Sequence, residues 1–126
     1  MESGQQCSNL TKLSESDLPL EESWQDTRGL DVYDISDEQI GRVEDLYVYR
    51  ESRLAKYLIV SAGGFLGVGK KHFLIPVEEV SRDVGEDQVR VNQNREKVLN
   101  SPEFDPDVGV PPPDVQRAIE AYYGHG

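Results

Sequence analysis

A chain of 126 residues with 24 acidic and 13 basic side chains, formal charge -11 at pH 7, is the size of one domain and strongly acidic. That charge excludes a general binder of phosphate backbones, which needs a net positive face to displace counterions, and it disfavours anionic lipid surfaces. The single cysteine, Cys7, excludes an intrachain disulfide and fits a reducing compartment, so a cytoplasmic location is expected.

No stretch approaches the roughly 20 apolar residues of a membrane span. Residues 1–24 lack the basic segment and apolar run of a secretion signal. They hold five acids against one lysine, Lys12, with leucines at 10, 13, 18 and 20. This reads as an extended or disordered arm whose leucines lie along a surface.

From residue 25 the pattern becomes that of strands. Leu30 to Asp34 alternates apolar and polar residues, and Ser36-Asp37-Glu38 is a turn. Gln39 to Arg50 is a second strand, with Val43, Asp45, Tyr47 and Tyr49 on one face and Leu46 and Val48 on the other. Gly41 permits a bulge or a close backbone approach. Leu54 to Ala62 is a third strand whose continuous apolar centre implies burial on both faces. A glycine-rich loop over residues 63–69 leads to a fourth strand, His72 to Ile75, stopped at Pro76, with Val77 to Val80 continuing it after a kink. After a turn at Gly85-Glu86-Asp87, Gln88 to Val91 is a fifth strand. Short turns between five strands predict a small antiparallel sheet. Curling into a barrel is its best escape from exposed edges.

Residues 93–126 form a tail. Arg95 to Leu99 is a helical turn or two, and prolines at 102, 106, 111, 112 and 113 make a stiff linker. Asp114 caps a helix that runs to Tyr123 and stops at Gly124. Val115, Ile119 and Tyr122 share one face of it. Ten residues do not hold a helix alone in water, so this one docks on its own barrel or on a second copy.

Gly64 to Lys70 fits the first seven positions of a nucleotide-binding P-loop, G-x-x-x-x-G-K. Position 71 is Lys, where magnesium needs a hydroxyl, and a strand follows instead of a helix. The segment is therefore read as a wide hairpin connection. Its residues Gly64, Phe65, Gly67 and Gly69, with Lys70, Lys71 and His72, are the candidate partner-binding site, able to hold an anionic group.

The acids at 31, 34, 37 and 38 match no calcium-loop spacing and read as turn formers on a solvated rim. Asp45 lies between apolar neighbours and needs a hydrogen bond to backbone or to an Arg such as Arg53. The aromatics Tyr33, Tyr47, Tyr49, Tyr57, Phe65 and Phe73 read as packing residues and not as a base-stacking platform. No nucleophile motif, metal spacing or paired-carboxylate signature is present, so neither an enzyme nor a cofactor is expected.

Three blocks in order, Ile40-Gly-Arg-Val-Glu-Asp45, Tyr57 to Gly67 and Phe73-Leu-Ile-Pro-Val77, resemble the PRC-barrel family. That fold is shared by the cytoplasmic domain of the photosynthetic reaction-centre H subunit and the C-terminal domain of a ribosome-maturation factor. Asn9 to Leu13, Gln93 to Val98, Phe104 to Asp107 and Tyr122 to Gly124 resemble the flanks of a stand-alone bacterial subgroup. The resemblance implies a small, strongly bent antiparallel β-barrel over residues 25–92 with no chemistry of its own. With it the expected function is a non-enzymatic adaptor that works through protein–protein contact, and the small barrel and unpartnered C-terminal helix lead to the expectation of a homodimer. Binding to RNA or to a maturing ribosome, and peripheral attachment to a membrane electron-transfer complex, are the alternatives it raises.

Overall fold

The computed structural model describes residues 10–16, 19–21, 26–63, 70–82 and 87–124. Cys7, Leu18, the loop residues 64–69, Gly85 and Glu86 lie outside the described residues.

The fold is mainly β, as expected. Strands β1 (Leu10–Lys12), β2 (Asp31–Tyr33), β3 (Gln39–Tyr49), β4 (Ala55–Gly63), β5 (Lys70–Pro76), β6 (Val80–Ser81) and β7 (Gln88–Val91) form one sheet. The order is β5-β4-β3-β2-β7-β6, and β1 also pairs with β3. β3 is the hub. One edge carries β4, while the other is divided between β2 near its start and β1 at its end. The sheet departs from the expected one twice, once in pairing and once in local structure. β2 and β7 are parallel, within a sheet otherwise antiparallel, because the long excursion through β3 to β6 returns the chain in the same direction. Val77–Glu79 is a 3-10 turn rather than a continued strand, since it follows Pro76, which supplies no ladder N–H.

Burial follows the alternation of β4. Leu58, Val60 and Ala62 face one apolar cluster with Val32, Leu46, Phe73, Ile75 and Val89. Tyr57 and Ile59 face a second cluster with Tyr47 and Leu74. The apolar centre of β4 is thus buried on both faces, as its composition predicts. On β3 the expected alternation fails in one place. Val43 lies with Leu46 and Val48, not with Tyr47, because the register shifts between Val43 and Asp45 and an extra residue turns the strand over. Of the two roles open to Gly41, a bulge or a close approach, the structure shows the close approach, since a Cβ there would lie 1.9 Å from the Ser61 carbonyl oxygen.

Both ends of the chain complete the packing. Leu10 enters the second cluster, and Leu13 and Leu20 enter the first. Asp45 accepts hydrogen bonds from the Ser14 hydroxyl and backbone N–H (3.2 Å) and from the Leu46 N–H (2.8 Å). Arg53 is not its partner: that guanidinium donates to the Ser16 hydroxyl (2.6 Å) and the Pro19 carbonyl (3.1 Å), which ties the arm to the β3–β4 turn. Asp34, read as part of a solvated rim, is buried instead. Its carboxylate accepts from the N–H groups of Ser36, Glu38 and Arg95, each at 2.8 Å. Burial pushes its pKa up, but those three N–H groups and nearby Arg90 outweigh burial and hold it below the usual carboxylate range.

Helix α1 (Arg95–Leu99) is capped by the Asn94 side chain and buries Val98 in the first cluster. Helix α2 (Pro113–Tyr122) starts with proline at its first position after Pro112, and Asp114 does not cap it. Gly124 ends it at φ 86°, the left-handed stop expected. α2 lies on its own sheet. Ile119 is buried against the second cluster with Val115 and Tyr122 half-buried beside it, and Tyr123, read only as the end of the helix, is buried too. Glu120 receives the Tyr57 hydroxyl (2.7 Å) and the Lys56 ammonium (2.9 Å). The need of this helix for a partner surface is therefore met within one chain.

Replacing Gly41 with Ala is expected to lower unfolding stability by about 2 kcal/mol or more, because the clash is with backbone. Ile119→Ala should cost about 2–4 kcal/mol in a urea titration, the range for emptying a buried aliphatic site. That cost should not vary with protein concentration, since the helix packs in cis.

Candidate functional site

The candidate site stands at the end of the sheet where β4 leaves for, and β5 returns from, the glycine loop. The cross-strand register there is Gly63 with Lys70, Ala62 with Lys71 and Ser61 with His72. Successive residues of β5 point to opposite faces, so the three candidate side chains do not converge. Lys70 and His72 share one face and both reach Glu44 on β3, at 3.6 and 3.0 Å. Lys71 points the other way and meets Glu103 at 3.5 Å. Gly64, Phe65, Gly67 and Gly69 lie outside the described residues, so the structure places Lys70, Lys71 and His72 alone of that set.

A groove of about 560 Å³ opens at this end, between the start of β3, the end of β4, the start of β5 and helix α1. Ile40, Ala62, Phe73 and Leu99 supply its apolar lining. Arg42, Lys70 and Arg95 line it as cations, with Lys71 reaching its rim from the opposite face of β5, and among the described residues Glu44 is the acid in its lining. Arg95 is held by its own backbone N–H on Asp34 and by its Nε on the Gln39 carbonyl (3.1 Å). Arg42 pairs with Asp31 at 3.2 Å on the surface. Burial pushes the Glu44 pKa up, but the Ser61 hydroxyl, the His72 ring and Lys70 together hold it below the usual carboxylate range.

Ser61, His72 and Glu44 are residue types that serve nucleophilic catalysis, and here they are neighbours. Their order is different from a catalytic triad's. Glu44 takes the His72 Nε2 (3.0 Å), the Ser61 hydroxyl donates to the Arg42 carbonyl (3.5 Å), and among the described residues no hydrogen bond joins His72 to Ser61. Activation of a serine needs the imidazole on the hydroxyl and the acid behind it. Among the described residues no three His, Cys, Asp or Glu side chains gather as metal ligands do. The aromatics do not form a stacking platform either. Tyr47, Tyr57 and Phe73 are buried, Tyr33 and Tyr49 are half-buried, and Phe65 lies outside the described residues.

Sequence reading missed Arg42, Glu44, Ser61 and Arg95. A hairpin register counted outward from the glycine loop pairs residue 61 with 72, so Ser61 was within reach. Arg42 and Glu44 were not, because the shift between Val43 and Asp45 breaks the count between β3 and β4.

A small, mainly β domain with a groove at one end is the build of a binding module. The PRC-barrel domain family model matches residues 20–98, more than half of the chain, and the protein belongs to that family, whose members are generally non-catalytic. No curated protein matches the chain. Among the described residues no helix is long and apolar enough to cross a membrane.

The ion pairs at this end are exposed, and such pairs contribute about 0–1 kcal/mol. Lys70→Ala and Lys71→Ala should each therefore shift the free energy of unfolding by less than about 1 kcal/mol, measured in urea. These variants then report on binding and not on folding.

Proposed function

We propose that this PRC-barrel protein is a non-enzymatic adaptor of the cytoplasm, one that works through protein–protein contact at the groove between β3, β4, β5 and α1. The groove is the observation that carries this reading. It joins an apolar lining to side chains that carry charge, the mixture that gives protein contacts both area and register. The opposite face of the sheet offers less, since β1, Phe104 and α2 already cover it. The engagement of His72 with Glu44, and of the Ser61 hydroxyl with the Arg42 carbonyl, supports binding over catalysis.

A photo-crosslinking residue in place of Lys71 tests the reading, with one in place of exposed Arg117 on α2 as the control. Discrete protein adducts from position 71, absent from position 117, are expected after illumination of cells. An adduct of twice the chain's mass would identify a second copy as the partner. Adducts dominated by RNA, or the same adducts from both positions, would overturn the proposal.

A further inference from the structure

The groove departs from the charge of the chain. The whole sequence stands at -11, yet among the described residues the groove lining holds Arg42, Lys70, Lys71 and Arg95 against Glu44, with Asp31 and Glu103 paired to two of these cations. Such a local excess of cations, set in a partly apolar wall, draws in groups of opposite charge more readily than the rest of the acidic surface does. We infer that the groove recognises an acidic peptide segment, one whose carboxylates alternate with apolar side chains. This inference rests on the adaptor reading and adds the chemistry of the partner.

Three observations carry it. First, the cations are available at small cost. Arg42 with Asp31, Lys70 with Glu44 and Lys71 with Glu103 are surface pairs at 3.2, 3.6 and 3.5 Å, with lysine side chains about 60% exposed. Pairs of this kind are weak, so an incoming carboxylate exchanges for a resident one. Second, Arg95 is preorganised. Its backbone and Nε are fixed, while its two terminal nitrogens have no partner among the described residues. A guanidinium held in that way offers a carboxylate the forked pair of donors it fits best. Third, the lining from Ile40, Ala62, Phe73 and Leu99 matches side chains rather than sugar. A polyphosphate would bring a charge density that the acidic chain as a whole repels, and Glu44 would stand among its phosphates.

The test uses the full chain and a fluorescein-labelled peptide of about eight residues alternating glutamate with leucine, followed by fluorescence anisotropy. Matched peptides alternating glutamine or lysine with leucine, and an oligouridylate of similar length, serve as comparisons. The glutamate peptide should bind, and its affinity should fall about tenfold or more between low salt and a salt concentration near 0.5 M. The Arg42→Glu, Lys71→Glu double variant should weaken it about tenfold or more, and Glu44→Gln should strengthen it severalfold. Melting temperatures of both variants near that of the parent chain confirm that they are folded. If charge reversal unfolds the chain, Arg42→Gln with Lys71→Gln makes the same test with a smaller loss. Equal binding of the glutamine peptide, tighter binding of the oligouridylate, or indifference to the substitutions would overturn the inference. Protein adducts at position 71 with no binding of the glutamate peptide would overturn it too, and would leave the adaptor reading standing. Peptide binding without any protein adduct in cells would overturn the adaptor reading instead.

Discussion

Where β3 crosses β4, the Gly41 backbone lies so close to Ser61 that no side chain fits between them. A glycine there lets two strands approach and bend at the point where β3 changes partners. Just beyond it the register shifts between Val43 and Asp45, and Val43 turns to the same side as Leu46 and Val48. The first cluster depends on that turn. Strict alternation would put Val43 outside and leave the space between β2, β4 and β5 less well filled. The same shift sets Glu44 on the face where Lys70 and His72 arrive from β5, so one irregularity serves the core and the groove together.

A sheet of this size buries too little surface by itself, and the rest of the chain supplies what is missing. The arm adds β1 to the free end of β3 and brings Leu10 and Leu13 inward. The tail crosses the β5 edge, where the Phe104 N–H meets the His72 carbonyl, and then lays α2 over Tyr57, Ile59 and Leu74. Tyr47 reaches the same tail through its hydroxyl to the Gly109 carbonyl (2.6 Å). Asp34 links the β2–β3 turn to the start of α1 through buried hydrogen bonds, so the helix that walls one side of the groove is anchored to the sheet that floors it.

The groove gathers residues that lie far apart in the chain, and their legibility in the sequence was uneven. Lys70, Lys71 and His72 stand next to the glycines and could be named from the sequence. Their surroundings could not. Glu44 pairs with Lys70 and takes the His72 ring, and Glu103 faces Lys71, which makes the two lysines exchangeable surface cations and not a ready anion clamp. Arg95 is held at the site by Asp34, which captures its backbone across 61 positions of sequence, and by the Gln39 carbonyl on its Nε.

Composition and periodicity were enough to determine the class of fold, most strand positions, the double-sided burial of β4 and the need of α2 for a surface, and they narrowed Gly41 to a bulge or a close approach. Each of these follows from interactions between near neighbours, or from the apolar pattern of a single strand, and such information is local. Tertiary structure decided the parallel pairing of β2 with β7, the face taken by Val43, the partner of Asp45, the burial of Asp34 and the covering of the outer sheet by its own tail. Those outcomes depend on which distant segments meet and in what register. A single inserted residue in a strand reverses every side chain beyond it, and no local pattern records where the insertion falls.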